Sequence, residues 1–453
     1  MRFRLPPAFR HPLALAGLAA TILSLTLFFI LLLLEQFGFH SNPYFGLLIL
    51  VAIPVGSAIG LLLVLTGVWL DRRRRRRSPE SEQTEWPVVD LGTSRHRKLL
   101  VVGVALVALN LILLTMGSYG AVHYMETDGF CGQVCHTTME PQSTAHQTGP
   151  HARIACVDCH IGPGAGALVE SKMAGARQLW HVMRGQVPAP VLSPVRSMRP
   201  ARETCETCHW AENFHGEEVR VFPEFANDEA NTPAGTTLTL FVGGGNAQLG
   251  TGTGIHWHMN LDNEIEYITT DPARETIPYV RLRDRNGVVR EFVVDGTTPG
   301  QLAAGERRRM DCLDCHSRPA HTFAPTPQRA VDTALVQGRI PRDLPFVRNE
   351  AVAAVSQEYP DRQTALDAIA TRLREYYAAH PVQDARLVDR AIRGTQDVWA
   401  KNIFPSMKVT WGTYPNHIGH VDSPGCFRCH DDEHTAKDGS VIRQDCELCH
   451  KES

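Results

Sequence analysis

Twelve cysteines constrain this 453-residue chain more than any other feature, because each belongs to a pair that is followed directly by histidine. Five pairs have the spacing Cys-x-x-Cys-His, and the first has one extra residue, Cys-x-x-x-Cys-His. The six Cys/Cys/His groups are numbered in chain order. They are Cys131/Cys135/His136, Cys156/Cys159/His160, Cys205/Cys208/His209, Cys312/Cys315/His316, Cys426/Cys429/His430 and Cys446/Cys449/His450. No cysteine is left over for a disulfide framework or for a catalytic nucleophile.

Cys-x-x-Cys-His is the attachment signature of c-type haem, in which two thioether bonds hold the porphyrin edge and the histidine is the proximal iron ligand. A zinc site usually brings its second ligand pair at a short fixed spacing. These groups instead lie 16 to more than 100 residues apart, and each has its own histidine. A thioredoxin-like redox pair needs one motif in a βαβ setting, not six. The sequence therefore predicts six covalently bound haem c groups. Each Cys/Cys/His set is called a haem group below, although the term refers only to its three residues.

A sixth ligand completes each haem iron unless that iron is a reaction site, so other histidines are candidate distal ligands. Those nearest to a haem group are His146, His151, His181, His215, His321, His417, His420 and His434. His256 and His258 lie far from any group and can serve only if the fold brings them in. At the first group Met139 follows His136 by three residues, and either side chain can bind that iron.

Three apolar runs precede the haem groups: Leu13 to Leu34, Tyr44 to Leu70 and Leu99 to Met116. Each is long enough to cross about 30 Å of hydrocarbon at about 1.5 Å per residue. The first run is too long for a secretory signal and has no small-x-small cleavage site after it, so we expect an uncleaved helix. Basic residues precede the first run, and others, including Arg72 to Arg77, fill the predicted loop between the second and third. By the positive-inside rule both segments are cytoplasmic.

This topology predicts a multi-pass protein of the bacterial inner membrane, with everything after about Gly117 in the periplasm. Residues 1–98 carry 12 Lys and Arg against 6 Asp and Glu, whereas the rest of the chain carries 33 against 42. The formal net charge of −3 excludes a strongly basic nucleic-acid binder, so no nucleic-acid partner is expected. The acidic far-side part favours a basic or polar protein partner.

Between the haem groups the pattern changes twice. Apolar and polar residues alternate in Thr237 to Val242, Glu264 to Thr269 and Val288 to Val294, and Asn286-Gly287 is a turn signal, which predicts a small β insert. Further along, Leu366, Ile369, Leu373 and Tyr376 recur at helical spacing, as do Leu387, Ala391, Thr395 and Val398. These helices are expected to support the haems.

The predicted fold class is a mainly α multihaem cytochrome c with three N-terminal transmembrane helices and a small β insert. Its expected segments are 1–98 with two transmembrane helices and a basic cytoplasmic loop, 99–120 with the third helix, 121–220 with haems 1 to 3, 221–305 with the β-rich insert, 306–330 with haem 4, 331–405 with the helical support and 406–453 with haems 5 and 6.

One part of the chain resembles a known family. A membrane helix leads into a Phe-Cys haem group with a nearby methionine, and Cys-Val-Asp-Cys-His-Ile-Gly-Pro-Gly follows. This arrangement resembles the NapC/NirT family of membrane-anchored multihaem quinol dehydrogenases, which includes the small subunit of cytochrome c nitrite reductase. The resemblance covers about residues 99–215. The additional N-terminal helices and haems 4 to 6 look more like the larger inner-membrane relatives of bacteria that respire external acceptors.

The resemblance extends to His146, Lys172 and His181, the last in Leu-Trp-His-Val-Met-Arg-Gly. It implies that the two histidines are distal haem ligands and that Lys172 lies beside the quinol pocket. Glu170 is the nearby candidate for a carboxylate at that pocket. In some family members the methionine near the first haem binds its iron, although the spacing to Met139 differs here.

The implied function is oxidation of quinol from the membrane pool, with electrons passed through the haem chain to a periplasmic acceptor protein, either another cytochrome or a reductase. Lys172 would orient the quinol oxygen, and a carboxylate or histidine near haem 1 would accept a proton. Two alternatives remain open: a terminal reductase of a small oxyanion or nitrogen compound, and an electron-wiring subunit of a larger membrane complex. A reductase needs one haem without a distal ligand. The quinol type and the direction of electron flow are also open.

Overall fold

The computed structural model describes residues 2–4, 11–36, 53–77, 88–90, 92–134, 136–193, 198–210, 214–244, 254–260 and 262–452. The chain divides into two compact units, Met1–Met125 and Glu126–Ser453.

The first unit is built on three long helices, α1 (Pro12–Gln36), α2 (Ile53–Arg77) and α3 (Ser94–Tyr124), with strands β1 (Arg2–Arg4) and β2 (Val88–Asp90) paired antiparallel. All three helices are long and apolar enough to cross a membrane, which confirms the three predicted spans.

The boundaries of two spans differ from the prediction. Helix α2 continues through the six arginines that were expected in a loop, and α3 begins at Ser94 and already contains Arg95, Arg97 and Lys98. Arginine and lysine are good helix formers, so a helix can continue past its apolar run where nothing ends it.

Small residues bring α1 and α2 close together. A Cβ atom added at Gly17 would lie 2.5 Å from the Gly60 carbonyl oxygen, and one added at Gly67 would lie 2.6 Å from the backbone nitrogen of Ala14. Such close approach is how membrane helices gain packing energy, because lipid tails are as apolar as the helices themselves. The Asn110 side-chain amide of α3 donates to Thr26 Oγ1 of α1 at 2.7 Å.

The second unit is mainly helical. Its helices before the insert are α4 (His136–Thr148), α5 (Cys156–His160), α6 (Ala165–Met183) and α7 (Ala201–Cys205). Those after the start of the insert are α8 (Pro299–Ala304), α9 (Cys312–Cys315), α10 (Pro327–Val336), α11 (Val347–Val355), α12 (Arg362–Ala379) and α13 (Ala385–Asn402). Helices α10 to α13 confirm the helical region that was predicted from residue 328 to residue 404.

Two small antiparallel sheets complete the unit. In the three-stranded sheet the order is β10-β4-β3, with β3 (Glu217–Phe225), β4 (Pro233–Phe241) and β10 (His450–Glu452). In the five-stranded sheet the order is β8-β5-β6-β7-β9, with β5 (Glu264–Thr269), β6 (Tyr279–Arg283), β7 (Val289–Val294), β8 (Glu306–Arg309) and β9 (His434–Ala436).

The predicted strands correspond to β4, β5 and β7, and the predicted turn at Asn286-Gly287 joins β6 to β7. Gly287 has φ +77°, a conformation that favours glycine. Strands β9 and β10 come from the segment of haems 5 and 6 and pair with the insert. The end of the chain is therefore hydrogen-bonded to the insert.

The largest apolar core lies among α10 to α13, where Ile369, Leu373 and Trp399 are almost fully buried. A buried ion pair crosses it, since the Arg348 guanidinium donates to both Asp332 carboxylate oxygens at 2.7 and 3.0 Å. This core holds the segments that carry the haem groups on either side of it.

A candidate chain of haem-binding sites

Most described haem groups lie on single helical turns. The second and fourth are on α5 and α9, and the last two are on 3-10 turns at Gly425–Arg428 and Cys446–Leu448. Side chains three residues apart share one face of a helical turn, so both sulfur atoms of a group point in similar directions. The described cysteines form no disulfide. Cys135 lies outside the described residues, and the side chain of His136 is also not described.

Five group histidines each face a second histidine ring. The distances between ring centroids are 6.1 Å for His160 and His321, 6.2 Å for His209 and His151, 6.3 Å for His316 and His256, 5.8 Å for His430 and His258, and 6.1 Å for His450 and His420. Imidazole–metal bonds are about 2.0–2.1 Å long and ring atoms lie about 1.1 Å from the centroid, so two imidazoles on opposite sides of one metal have centroids about 6.3 Å apart. All five pairs fit this geometry.

The orientation of the rings fits it as well, because the Nδ1 atoms of several of them are hydrogen-bonded to backbone carbonyls. The acceptors are the carbonyls of Gln142 for His321, Pro319 for His151, Val242 for His256, Ile255 for His258 and Arg443 for His430, at 2.7–2.9 Å. A ring that donates from Nδ1 keeps its lone pair on Nε2, the usual arrangement of a metal-bound histidine.

Burial favours the neutral form of two of these rings. Loss of solvent lowers the pKa of His258, and it lowers the pKa of His321 to about 4. A neutral imidazole is the form that binds a metal.

His434 differs from the paired histidines. It is 1% exposed, its Nδ1 lies 2.9 Å from Asp431 Oδ1, and its Nε2 donates to the Ile277 carbonyl at 2.7 Å. Both ring nitrogens are engaged within the protein, so this geometry leaves none for iron, contrary to the prediction. The ring instead fastens β9 to the insert.

The other predicted distal ligands are not paired with a group histidine in this way. His146 is buried and 6.0 Å from the His321 ring, but its Nε2 is 3.0 Å from the Ile154 carbonyl. His181 and His215 are exposed. His417 is buried, and its surroundings are described below.

The surroundings of the first group contain charged residues. A hydrogen bond from the Cys156 thiol is the main cause that lowers the pKa of Cys131 to about 7. The Lys172 ammonium on α6 contributes to the same shift. This contribution indicates that Lys172 is near the first group. The Lys172 side chain is half-buried, whereas Glu170 is exposed. Met139 lies half-buried on α4.

Asp128 was not predicted as a site residue, but it lies at the same place. Its Oδ1 accepts the Cys156 backbone N–H at 2.9 Å, and this hydrogen bond lowers the pKa of the carboxyl group. Ligand atoms of Asp128, His146 and Cys156 all lie within 4.8 Å of one another. Because the Cys156 sulfur is a predicted haem attachment, we do not interpret this cluster as a separate metal site.

Successive haem groups lie near one another in chain order. Side-chain hydrogen bonds join Cys131 to Cys156 and Cys205 to Cys312. Burial is the main cause that raises the thiol pKa of Cys159, Cys315 and Cys449. A neighbouring cysteine adds to each shift: Cys208 for Cys159, and Cys426 for both Cys315 and Cys449.

Two further contacts connect the later groups directly. The Arg428 guanidinium, inside the fifth group, donates to the Asp314 carbonyl inside the fourth. The His420 ring, which faces His450 of the sixth group, stacks on Phe427 of the fifth at 4.2 Å. The described groups thus form a continuous series from the first to the sixth.

His256 and His258 face group histidines in the structure, although both lie far from any haem group in the sequence. They lie on one 3-10 turn, Ile255–Met259, inside the haem-free insert. Two histidines in a His-Trp-His stretch within a region that has no haem group of its own were the available signal.

Comparisons with known proteins identify relatives of this chain. The N-terminal region of the NapC/NirT cytochrome c family matches residues 93–192. The chain is 37% identical over 447 residues to the cytochrome c-type protein ImcH of Geobacter sulfurreducens, an alignment that covers 97% of this chain and 87% of ImcH. No solved structure matches the chain.

Proposed function

Because the chain belongs to the NapC/NirT cytochrome c family, we propose that it is a hexahaem quinol dehydrogenase of the bacterial inner membrane. In this proposal it oxidises a quinol from the membrane pool and delivers the electrons to an acceptor protein in the periplasm. The observation that carries the proposal is the series of haem groups that lie near one another in chain order. That series begins at Cys131, seven residues after the last residue of α3.

The five ring pairs supply the proposed axial ligands of haems 2 to 6. His321, His151, His256, His258 and His420 are the distal ligands in this assignment, opposite His160, His209, His316, His430 and His450. Two histidine ligands for each of haems 2 to 6 would leave no coordination position for a substrate, which favours electron transfer over a terminal reductase. The first iron takes His136 or Met139.

The quinol binds beside the first group in this proposal. Lys172 supplies a cation and hydrogen-bond donor for a quinol oxygen. On the same helix Val169 and Met173 are exposed apolar side chains that suit a quinone ring. These features combine an apolar surface with one polar anchor, as small-molecule sites do.

The proposed proton acceptor is Asp128. A general base must be deprotonated, and the hydrogen bond from the Cys156 backbone keeps this carboxyl group ionised. Glu170, exposed and two residues from Lys172, is the second candidate. Each quinol that is oxidised to quinone releases two electrons and two protons. Haems held by the six groups would supply one-electron redox chemistry for this transfer, and the protons would leave to the periplasm.

The test is anaerobic mixing of the purified protein, in detergent, with a reduced quinol while the absorbance of reduced haem c is followed. We expect the quinol to reduce the haems. Lys172→Ala should slow this reduction about ten- to hundredfold, because a hydrogen bond to a charged group contributes about 1.5–3 kcal/mol.

Arg177→Ala is the matched control, since Arg177 is an exposed cation on the same helix; this variant should react at the wild-type rate. Haem content, measured as the pyridine haemochrome, should stay at six in both variants. Equal rates in Lys172→Ala and wild type would remove Lys172 from the site. Haems that dithionite reduces and quinol does not would refute the proposed function.

A further inference from the structure

A group of buried nitrogen atoms near the fourth and fifth haem groups has no hydrogen-bond partner within the described part of the chain. These atoms are Arg274 Nε, Arg318 Nη2 and His417 Nε2. Arg274 is only 7% exposed and His417 only 5%. We refer to Arg274, Arg318 and His417 as the cationic cluster.

The three side chains lie close together. The His417 backbone N–H donates to Ser317 Oγ at 3.2 Å, and Arg318 is the next residue. Burial, and after it the nearby guanidinium groups of Arg428, Arg274 and Arg318, lower the pKa of His417 to about 4. A neutral His417 ring can still donate a hydrogen bond from Nε2.

The acidic groups around the cluster are already engaged. Asp314 Oδ1 lies 3.7 Å from Arg274 Nη1 and 3.8 Å from Arg308 Nε, so two guanidinium groups share one carboxylate. The carboxylate of Asp271 accepts the backbone N–H groups of Glu275 and Thr276. Positive charge therefore exceeds negative charge at this buried place.

Such an arrangement is costly without an anion. A buried polar group that lacks a partner costs about 1–3 kcal/mol, and a charged group costs more. The guanidinium group binds carboxylates with strong, charge-assisted hydrogen bonds. The haems that the neighbouring groups would hold carry propionate carboxylates, which are anions of the required kind.

We propose that the cationic cluster binds the propionate carboxylate of a neighbouring haem. Arg318 and Arg274 provide the positive charge, and His417 donates a hydrogen bond from Nε2. This assignment gives His417 a role other than the distal ligation that its sequence position suggested. It rests on haem occupancy and does not depend on quinol being the electron donor.

Arg318→Gln tests the proposal in the full haem-loaded protein, by redox titration with dithionite and mediators. Loss of the positive charge stabilises the more positive ferric state, so the midpoint potential of one haem should fall while the others stay at their wild-type values. Arg318→Lys, which keeps the charge, should restore most of the potential. Unchanged potentials in Arg318→Gln would overturn the proposal.

His417→Leu separates carboxylate binding from iron ligation, because leucine can neither donate a hydrogen bond nor bind iron. Electron paramagnetic resonance should show every wild-type low-spin ferric haem still low-spin in this variant, with the same haem's potential lowered. A new high-spin haem would make His417 an iron ligand and would overturn the proposal. If Arg318→Gln does not retain six haems, His417→Leu provides both measurements.

A free anion is the alternative occupant. Dialysed wild-type protein should keep its potentials when inorganic phosphate is added, because a propionate is covalently part of the haem. A potential that follows the phosphate concentration, and that loses this dependence in Arg318→Gln, would show that the cluster binds a free anion instead. All of these measurements bypass the quinol, so a failed quinol assay would leave their outcome unchanged.

Discussion

Replacing His258 by alanine tests the ligand assignment at a position far in sequence from any haem group. The His258 ring lies 5.8 Å from the His430 ring and donates from Nδ1 to the Ile255 carbonyl at 2.8 Å, which leaves Nε2 for iron. Alanine has no donor atom and is too short to replace it. His258→Ala should therefore open one coordination position, on one of the six proposed haems.

The size of the effect follows from this stoichiometry. The reduced variant should bind one carbon monoxide per chain more than the wild type, and about one sixth of its ferric haem should become high-spin. His256→Ala should do the same through the fourth group. The double variant should bind two additional carbon monoxide molecules. Optical titration with carbon monoxide and electron paramagnetic resonance measure these numbers.

His434→Ala is the matched control, because His434 is a buried histidine near His430 in sequence. It should lose about 1–3 kcal/mol of unfolding free energy, since Asp431 and the Ile277 carbonyl lose their partner. It should bind no additional carbon monoxide. Absence of additional binding in His258→Ala, or its presence in His434→Ala, would refute the reasoning from ring geometry.

Three other substitutions test separate parts of the structure. Arg348→Ala leaves the buried Asp332 carboxylate without its ion-pair partner and should cost about 3–5 kcal/mol of unfolding free energy in denaturant titration; an equally stable variant would contradict this. Gly60→Leu places side-chain atoms against α1, where a Cβ atom would already lie 2.9 Å from the Gly17 carbonyl oxygen, and should lower the thermal unfolding temperature in detergent. Met173→Glu puts a charge on the exposed apolar face of α6 and should raise the KM for quinol with little change in reduction by dithionite; an unchanged KM would place the quinol elsewhere.

Long, uniform patterns in the sequence predicted the helical part of the fold well. The three apolar runs became α1 to α3, because each is apolar over a length that can cross a membrane. The periodic stretch from residue 328 became α10 to α13, because its regularly spaced apolar residues form one buried face on each helix. The three-residue strands β9 and β10 were not predicted. So short a segment has no readable period, and its strand conformation depends on a distant partner.

The candidate site divides in the same way. The haem groups can be read from sequence because attachment needs a fixed local spacing of cysteine and histidine. The pairing of each distal partner with its group cannot, because it depends on packing between distant segments. The Nδ1 atom of His321, for example, is held by the Gln142 carbonyl, 179 residues away. His434 shows the converse: it lies between two groups in sequence, but local and distant oxygen atoms engage both of its ring nitrogens.

The central claim is that electrons enter at the first haem group and pass along the series in chain order. A variant that lacks the third attachment, with Cys205→Ser and Cys208→Ser, tests it most directly once haemochrome analysis shows five haems. We predict that quinol reduces only the two haems before the gap, whereas dithionite reduces all five. Reduction of all five by quinol at the wild-type rate would contradict the claim.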